Sequence, residues 1–581
     1  MIIQSVLSLT FVCLLAVGPK AQAVVPPPDG CYPNYTTAEG CNALSLLTTG
    51  AANTGVGWYS LFSVGGANYN TGIGAGALAL NTADSNTAVG TVALFLNTTG
   101  ASNTAVGTAS LLYNDSGSQN TANGGFALNA NTTGSFNTAM GAGALFSNTT
   151  GTGNTAVGFS ALSASTTANG NTATGWSALE NNTTGNDNTA FGDHALFNNT
   201  VGVGNTATGR FALHDNDIGN SNTANGSHAL ESNTTGESNT ATGAFALRDN
   251  DTGAGNTATG SSALQSNTTG ISNTATGISA LRNNNIGSSN TATGSSALQF
   301  NTTGDSNTAN GAAALFNNLT GTTNTAIGAA ALNSNSTGSS NTATGSFALA
   351  QNTIGSSNTA VGNAALGNNN AGAGNIALGV AAGSNVMNAN NVIAIGSVGA
   401  NMSNSCFIGQ IYSNVQPQVG VDPDLVTINS NGRLGRANVS SRRYKHDIQP
   451  MHSASEAIYS LKPVSFRYHE QYDPTQTIAF GLIAEEVAEV NADLVGRNRE
   501  GQAESVRYEQ INAMLLNEFL KEHRRGDEQD CRIQQQETTI AELRSEIRNL
   551  AALVNDQASQ MRKVNAQVQI SNAARMIAEN P

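Results

Sequence analysis

Between residues 53 and 375 the chain repeats one short pattern of apolar and polar positions. The pattern N-T-A-x-G-x-x-A-L-x-x-N-T-T-G-x-x occurs in 20 copies at a 17-residue spacing, except for one step of 16. In the copy that begins at Asn137, the constantly apolar positions are Ala139, Ala144 and Leu145. A phase held over this length is typical of a repeat architecture and not of disordered low-complexity sequence.

The pattern predicts short strands and turns. A helical repeat needs apolar residues at 3.6-residue spacing and far fewer Gly and Asn residues. A strand, a turn, a second strand and a second turn fit the length of one repeat, and Gly141 and Gly151 stand where the chain must turn or approach a neighbour closely. We therefore expect residues 51–410 to form a parallel β-solenoid, or β-roll, that lengthens by about 4.8 Å with each coil. Its thin core of Ala and Leu gains stability by stacking on neighbouring coils.

After residue 410 the hydrophobic pattern changes. Residues 411–439 contain short apolar stretches between turn sequences, and we interpret them as a neck and linker. Residues 461–468 alternate like a strand, residues 478–490 are typical of a strand that leads into a helix, and residues 506–525 have the period of an amphipathic helix. This mixture predicts a small α/β domain.

From Ile533 onward, apolar residues recur at the a and d positions of a heptad. The a positions hold Ile533, Ile540, Ile547, Val554, Met561 and Val568, and the d positions hold Gln536, Leu543, Leu550, Gln557 and Val564. This pattern predicts a coiled coil over residues 532–570. Ile at a with Leu at d by itself favours a dimer. A lone amphipathic helix packed on the preceding domain is the alternative.

Residues 1–23 are typical of a secretory signal peptide. An apolar run is followed by Ala21-Gln22-Ala23, a small-x-small cleavage site. The alternative, a membrane anchor, is disfavoured because the run is short for a transmembrane span. We expect a secreted or cell-surface protein without a transmembrane anchor, since no later segment is long and apolar enough to cross a bilayer.

The cysteines predict one local disulfide. In an exported protein, Cys31 and Cys41 are expected to pair and close an N-terminal cap over residues 24–50. Cys406 and Cys531 are single and are expected to be buried free thiols, unless each meets its own copy in an oligomer. The chain contains neither a C-x-x-C motif nor a His/Cys cluster, so we expect no metal and no cofactor.

Charge and composition exclude some functions. Only 10% of residues are charged and the net charge is −14, which argues against nucleic-acid binding. His194, His214 and His228 occupy variable positions of single repeats, so we interpret them as solvated surface residues. A glycan-cleaving enzyme would need a pair of acids in a groove, and the repeats provide no fixed pair. Columns of Thr raise the idea of an ice-binding face, although Thr also suits any strand surface.

The repeat resembles that of a known family. The motif N-T-A-x-G-x-x-A-L is similar to the head repeats of trimeric autotransporter adhesins, whose coils form a left-handed β-roll packed as a trimer. The resemblance covers about residues 50–410, and the repeat unit of this chain is longer than the usual one. It implies a homotrimer that binds an unidentified surface ligand, either a glycan or a protein.

Residues 440–531 carry a second resemblance. The motifs SSRRYKHDI, LKPVSFRY, GLIAEEV and VRYEQINAMLLNEF occur in that order. They resemble the intramolecular chaperone auto-processing domain of phage tailspikes and tail fibres, of which the endosialidases are the best-known members; a relative occurs in myelin regulatory factor. The resemblance implies that this domain drives trimerisation of the fibre ahead of it. It also implies that the domain then cuts itself off at the bond between Val439 and Ser440.

The residues at this bond suit a serine–lysine dyad. Ser440 and Lys445 match the family's Ser-x-x-x-x-Lys spacing, with Ser440 as nucleophile and Lys445 as general base. A lysine amine becomes neutral when burial or a neighbouring cation lowers its pKa from about 10.4, and Arg442 and Arg443 are neighbouring cations. The family usually has Asp after the serine, whereas this chain has Ser441, which is also a rival nucleophile.

These patterns lead to one interpretation and one alternative. We expect an exported homotrimeric fibre, mainly β, with a β-solenoid followed by a small α/β chaperone domain and a C-terminal coiled coil. Its chaperone domain is expected to act once as a serine endopeptidase. In the alternative, the basic segment is a solvated turn, and the C-terminal domain only trimerises an uncleaved adhesive protein.

Overall fold

The computed structural model describes most of the chain. The described residues are 33–410, 426–428, 434–436, 441–471, 473–498, 500–552 and 570–571, with side chains omitted for 426–428, 434–436 and 544–552. The chain divides into two compact units, Met1–Val415 and Gln416–Pro581. The predicted signal peptide and Cys31, and with it the predicted disulfide, lie outside the described residues.

The first unit is a parallel β-solenoid of about 22 turns with a 17-residue period, as predicted. A short 3₁₀ turn, Pro33–Tyr35, precedes it. Each strand is three residues long and pairs in parallel with the next strand along the chain, so that Thr257, Ala258 and Thr259 face Thr274, Ala275 and Thr276. The strands are β1 (Thr37–Glu39), β2 (Thr54–Val56), β3 (Thr71–Ile73), β4 (Thr87–Val89), β5 (Thr104–Val106), β6 (Thr121–Asn123), β7 (Thr138–Met140), β8 (Thr155–Val157), β9 (Thr172–Thr174), β10 (Thr189–Phe191), β11 (Thr206–Thr208), β12 (Thr223–Asn225), β13 (Thr240–Thr242), β14 (Thr257–Thr259), β15 (Thr274–Thr276), β16 (Thr291–Thr293), β17 (Thr308–Asn310), β18 (Thr325–Ile327), β19 (Thr342–Thr344), β20 (Thr359–Val361), β21 (Ile376–Leu378), β22 (Ile393–Ile395) and β23 (Cys406–Ile408).

Each coil contains one strand and not the two that the sequence predicts. After β7, residues Gly141, Gly143 and Leu145 have φ angles of 141°, 67° and 51°. Because every second residue is left-handed, the backbone curls and cannot form a second pleated strand. The hydrogen bonds between coils nevertheless continue through this turn, since the Leu145 N–H donates to the Ala161 carbonyl at 3.0 Å.

The solenoid core is the predicted column of small apolar residues. Ala139, Ala144 and Leu145 are fully buried, and so are their counterparts in the neighbouring coils. A left-handed backbone costs a Leu residue roughly 1–2 kcal/mol. Burial of its side chain contributes about 1.5–3 kcal/mol, so the conformation is sustained by the stack and not by local preference.

Two columns of buried Asn side chains run beside this core. In the first column, the Asn137 N–H donates to Oδ1 of Asn120 at 2.9 Å, and Nδ2 of Asn137 donates to the Gly151 carbonyl at 2.8 Å. In the second column, Nδ2 of Asn131 donates to Oδ1 of Asn114 at 2.6 Å. Both columns therefore bind neighbouring coils together, and the first of them also satisfies the Gly151 carbonyl, a polar group that would be costly to bury alone.

The second unit contains three antiparallel strand pairs and two α-helices among its described residues. The strands are β24 (Val426–Ile428), β25 (Leu434–Arg436), β26 (Val464–Phe466), β27 (Ala479–Gly481), β28 (Val495–Arg497) and β29 (Ala503–Val506). The helices are α1 (Ala484–Val490) and α2 (Tyr508–Ala552), and 3₁₀ helices span Arg442–Tyr444, His452–Ser460 and Ala492–Leu494. The strand predicted in residues 461–468 and the strand and helix predicted in 478–490 are confirmed.

Helix α2 begins in the predicted α/β domain and continues without a break into the predicted coiled coil. The coiled coil itself stays a prediction, because residues 553–569 lie outside the described residues. In the part of the chain that the structure describes, no helix is both long and apolar enough to cross a membrane.

The expectation that Cys406 and Cys531 are buried is wrong for the single chain, since both are exposed. Cys406 opens β23, the last strand of the solenoid, on which no further strand is stacked among the described residues. Cys531 is an exposed residue of α2. Contact with a second copy, the alternative raised by the sequence, stays open.

Candidate functional site

Lys445 follows directly after a 3₁₀ helix. The helix spans Arg442–Tyr444, and the Lys445 N–H donates to the Arg442 carbonyl at 3.1 Å. The Arg443 guanidinium lies over the Tyr444 ring, 4.8 Å from its centroid. All side chains from residue 441 to residue 450 are exposed in the single chain, so this segment offers its charges to solvent.

The two partners of Lys445 in the predicted reaction are not described. Val439 and Ser440 lie outside the described residues, so the geometry of the predicted dyad stays a prediction. Ser441, the rival nucleophile, is exposed at the N-cap of the 3₁₀ helix. Arg442 and Arg443, the neighbouring cations of the predicted dyad, are exposed on the same 3₁₀ helix.

A polar cluster around the buried side chains of Ser455 and Glu518 links the 3₁₀ helix His452–Ser460 to α2. The Glu518 carboxylate accepts hydrogen bonds from Ser455 Oγ, from Tyr459 Oη at 2.9 Å and from Lys521 Nζ at 2.6 Å. Ser455 is fully buried, and Asn517 Nδ2 donates to its hydroxyl at 2.7 Å. The cluster therefore fixes the 3₁₀ helix against one face of α2.

The cluster shifts the titration of its members. The hydrogen bond from Lys521, followed by that from Ser455, lowers the pKa of Glu518 to about 2. The same carboxylate raises the pKa of Lys521 and of Tyr459.

Sequence reasoning missed this cluster, although a signal existed. Met514 and Glu518 are one helical turn apart, which places an acid on the buried face of the predicted amphipathic helix.

Large apolar side chains are exposed near the beginning of α2. These are Tyr508, Leu515, Leu516, Phe519 and Leu520, each between 46% and 65% exposed. Tyr508 and Leu515 of this set line an open groove of about 810 Å³, together with Tyr459, Phe480, Ile511 and other residues. Phe480, in β27, is 83% exposed. The buried core of this unit comprises only Val487, Leu494, Val495 and Met514 among the described residues.

The histidines of the solenoid are not the isolated solvated residues that the sequence suggests. His194 and His228 each lie within 5.4 Å, between ring centroids, of Phe211. His214 stacks on Phe197 at 5.2 Å. The side chains of the three histidines are only 22–28% exposed. Equivalent positions of consecutive repeats are neighbours in a solenoid, so variable positions of separate repeats form one surface.

The region around Lys445 can be compared with known families. Residues 440–496 match the family described as chaperone of endosialidase. The match begins at the predicted nucleophile and ends within β28, so it confirms the second resemblance over that segment, which we call the chaperone segment. No curated protein and no solved structure matches the chain.

The chaperone segment follows a long β-solenoid, and this order of domains indicates a fibre-like protein with a chaperone domain. The family is associated with trimeric fibres. None of the side chains in the described residues forms a group of three or more His, Cys, Asp or Glu suited to hold a metal ion.

Proposed function

We propose that the protein is an exported homotrimeric fibre or adhesin-like surface protein with a self-removing chaperone. Its C-terminal unit trimerises the chain and then cleaves the bond between Val439 and Ser440. The observation that carries this proposal is the family match, which begins at Ser440. The boundary between the charge-poor repeats and the charged C-terminal sequence lies just before it.

The exposed apolar face of the C-terminal unit supports assembly. Contiguous exposed apolar surface marks an interaction site, and aromatic residues are enriched in interface cores. Phe480, Phe519 and Leu516 are each more than half exposed in the single chain. Two further copies of the chain are the proposed partners, and their arrival would also desolvate the exposed segment that holds Lys445.

The solenoid supplies a reason for a chaperone. Most strands present Thr-Ala-x to the next, so the surfaces of successive coils are nearly identical over much of the solenoid. Three such chains placed side by side can slip by one whole coil and still match Thr with Thr and Ala with Ala. Repetition therefore leaves the register weakly specified, and non-local β-structure forms slowly. A separate trimerising domain sets the register before the coils stack.

The proposed cleavage is an acyl transfer within one chain. Lys445 takes the proton of the Ser440 hydroxyl, and Oγ attacks the carbonyl carbon of Val439. The C–N bond of the tetrahedral intermediate breaks, and Lys445 returns the proton to the amine of Ser440. The resulting ester joins the Val439 carboxyl to the Ser440 hydroxyl. Water hydrolyses this ester, so each chain reacts once and assembly becomes irreversible.

The test is denaturing electrophoresis with N-terminal sequencing of the purified full chain. We expect a fragment that begins at Ser440 in the wild type and in Ser441→Ala, and only full-length chain in Ser440→Ala and Lys445→Ala. A fragment that begins at Ser441 and disappears in Ser441→Ala would identify Ser441 as the nucleophile, because each serine attacks the carbonyl of the residue before it. A single full-length band in every sample would overturn the peptidase and leave the alternative, a C-terminal unit that only trimerises.

Ser441→Asp sharpens this test because it restores the residue that the family usually has after the serine. If an acid at this position orients Lys445, the variant cleaves faster than the wild type in a time course of the same assay. A full-length wild type together with a cleaved Ser441→Asp would show that the serine has silenced the peptidase in this chain.

A further inference from the structure

The solenoid carries one run of ring-bearing side chains that departs from its repeat. We call it the aromatic belt; it comprises Phe159, Trp176, His194, Phe197, Phe211, His214, His228 and Phe245. The rings at the turn after each strand contact from coil to coil, with centroids 6.4, 6.0, 5.4, 5.2 and 5.2 Å apart from Phe159 to Phe245. In the five coils that follow, the same two positions hold Ser and Ala except for Ile278.

Charged residues accompany the aromatic belt. Residues 51–410 contain three Arg residues and three His residues. All three His residues belong to the belt, and Arg210 lies over the Phe211 ring, 4.6 Å from its centroid. Carboxylates border the rings, since Nδ1 of His194 lies 2.6 Å from Asp193 and Nδ1 of His214 lies 2.7 Å from Asp215.

The belt is not needed by the solenoid core. The core cluster consists almost entirely of Ala and Leu, with a few Val residues near its ends, and the belt rings are absent from it. Trp176 is 61% exposed and Phe159 is 59% exposed, so a large part of their rings faces solvent. Flat rings bordered by carboxylate, imidazole and guanidinium groups present a surface that is apolar in its middle and rich in hydrogen-bonding groups at its edge.

A pyranose ring has the complementary chemistry. One of its faces carries C–H groups, which pack on the negative face of an aromatic ring, while its hydroxyl groups project sideways to polar partners. Coils advance by about 4.8 Å, so successive belt rings offer stacking positions along the solenoid at a spacing similar to that of sugars in an extended chain. Asp193, Asp215, Glu231 and Asp249 outnumber Arg210 and Arg248 along the belt, which disfavours an acidic ligand.

We propose that the aromatic belt binds an extended, uncharged glycan, whose sugar rings stack on Trp176 and its neighbours. This deepens the adhesive part of the proposed function by naming its ligand class. It rests on the surface of the solenoid and does not depend on cleavage at Ser440.

The first measurement uses the fluorescence of Trp176. The chain has two Trp residues, Trp58 and Trp176, so the full chain with Trp58→Phe reports on the belt alone. We expect hexamers of N-acetylglucosamine or of β-linked glucose to shift this fluorescence saturably. A hyaluronan hexasaccharide, which carries carboxylates, is expected to bind at least 10-fold more weakly. Absence of a saturable shift with both neutral hexamers, or tighter binding of hyaluronan, would overturn the proposal.

Substitutions test whether binding requires the aromatic belt itself or any exposed aromatic residue of the solenoid. Phe211→Ala and Trp176→Ala are expected to weaken binding of the neutral hexamer at least 10-fold by calorimetry. Phe347→Ala is the matched control, because Phe347 occupies the same repeat position as Phe211 and is 54% exposed but lies outside the belt. Thermal melts of all three variants check that the coils remain stacked. Equal losses in the control and in the belt variants would overturn the proposal.

Two further readouts distinguish this proposal from its rivals. Light scattering on the same variants tests whether the belt is an interface between copies, since a lower mass of Trp176→Ala would assign the belt to assembly and overturn glycan binding. Binding is also measured on the uncleaved Ser440→Ala chain. Retained binding by this chain shows that the glycan site does not depend on the proposed peptidase. A belt variant that loses binding but still yields the fragment beginning at Ser440 shows that cleavage does not depend on the glycan site.

Discussion

The two units of this chain differ in how they bury their side chains. The solenoid buries Ala, Leu and two columns of Asn in most of its coils, and each coil packs on the coil before and the coil after. The C-terminal unit has only four fully enclosed apolar residues among its described residues and exposes Phe480, Leu516 and Phe519. The comparison teaches that contacts along one chain stabilise the solenoid, whereas the C-terminal unit leaves large apolar side chains exposed in the single chain, which is the observation behind its proposed assembly.

The largest expected effect, on assembly and cleavage, comes from replacing an equally exposed Phe residue by Asp in each of the two units. Phe519 in α2 and Phe136 in the solenoid are both 65% exposed. We expect Phe519→Asp to abolish the trimer and the fragment that begins at Ser440, because a carboxylate in an apolar interface core is costly to desolvate. Phe136→Asp should change neither. Light scattering and denaturing electrophoresis measure both outcomes, and equal behaviour of the two variants would contradict the comparison.

Gly260→Ala tests how tightly the coils are stacked. Gly260 has a φ of 133°, and an added Cβ would lie 2.5 Å from the carbonyl oxygen of Gly277 in the next coil. Because that neighbour is backbone, it cannot move aside without disturbing its own hydrogen bonds. We expect the free energy of unfolding of the solenoid to fall by about 3 kcal/mol. Denaturant titration of the full chain measures it, with the exposed neighbour Ser261→Ala as a control that leaves stability unchanged.

Low pH should destabilise the C-terminal unit by protonating Glu518. The pKa of Glu518 is lowered to about 2, so its hydrogen bonds stabilise the folded unit above the usual carboxyl pKa of about 4.3. This stabilisation is lost as the pH falls from about 4.3 towards 2. The helical circular-dichroism signal at 222 nm should therefore melt at lower temperature across this window. Glu518→Gln should flatten the pH dependence, whereas Glu522→Gln, an exposed change on the same helix, should preserve it.

The smallest expected effect is a gain in stability from repairing the second Asn column. In the coil that begins at Asn154 this column holds Ser165, and both Ser165 Oγ and Asn148 Oδ1 are buried without a hydrogen-bond partner. Ser165→Asn should restore the bond to Asn148 and stabilise the solenoid by about 1 kcal/mol. Asn267→Ser, in an unbroken stretch of the column, should destabilise it by a similar amount. A lower melting temperature for Ser165→Asn would contradict this account.

The sequence predicts the solenoid because its period is a property of every repeat. The counterparts of Ala139, Ala144 and Leu145 recur at a fixed spacing in the repeats. Each repeat therefore forms one coil of the solenoid. The single strand per coil was not predictable from apolar spacing, because it depends on the left-handed φ of Leu145, which stacking imposes against local preference. The Asn columns left a signal in the constant Asn positions, but residue type alone does not show that these side chains are buried.

The candidate site was predictable only where a motif carried it. The order of four motifs led to the chaperone segment, which the family match confirms over residues 440–496. The Glu518 cluster joins residues about 60 apart in sequence, so its hydrogen bonds appear only in the fold. The belt histidines were interpreted one repeat at a time, whereas the fold places residues of adjacent repeats in contact.

Because the coils stack in register, the length of the solenoid is set by the number of repeats that the gene encodes. Successive strands of the solenoid pair in register, and even the 16-residue step between Asn70 and Asn86 leaves Thr71 facing Thr87. An in-frame gain or loss of one repeat in the coding sequence therefore changes the reach of the protein by about 4.8 Å and leaves its cross-section unaltered. Homologous chains that differ by whole repeats are therefore expected to differ in the length of the solenoid and not in its width.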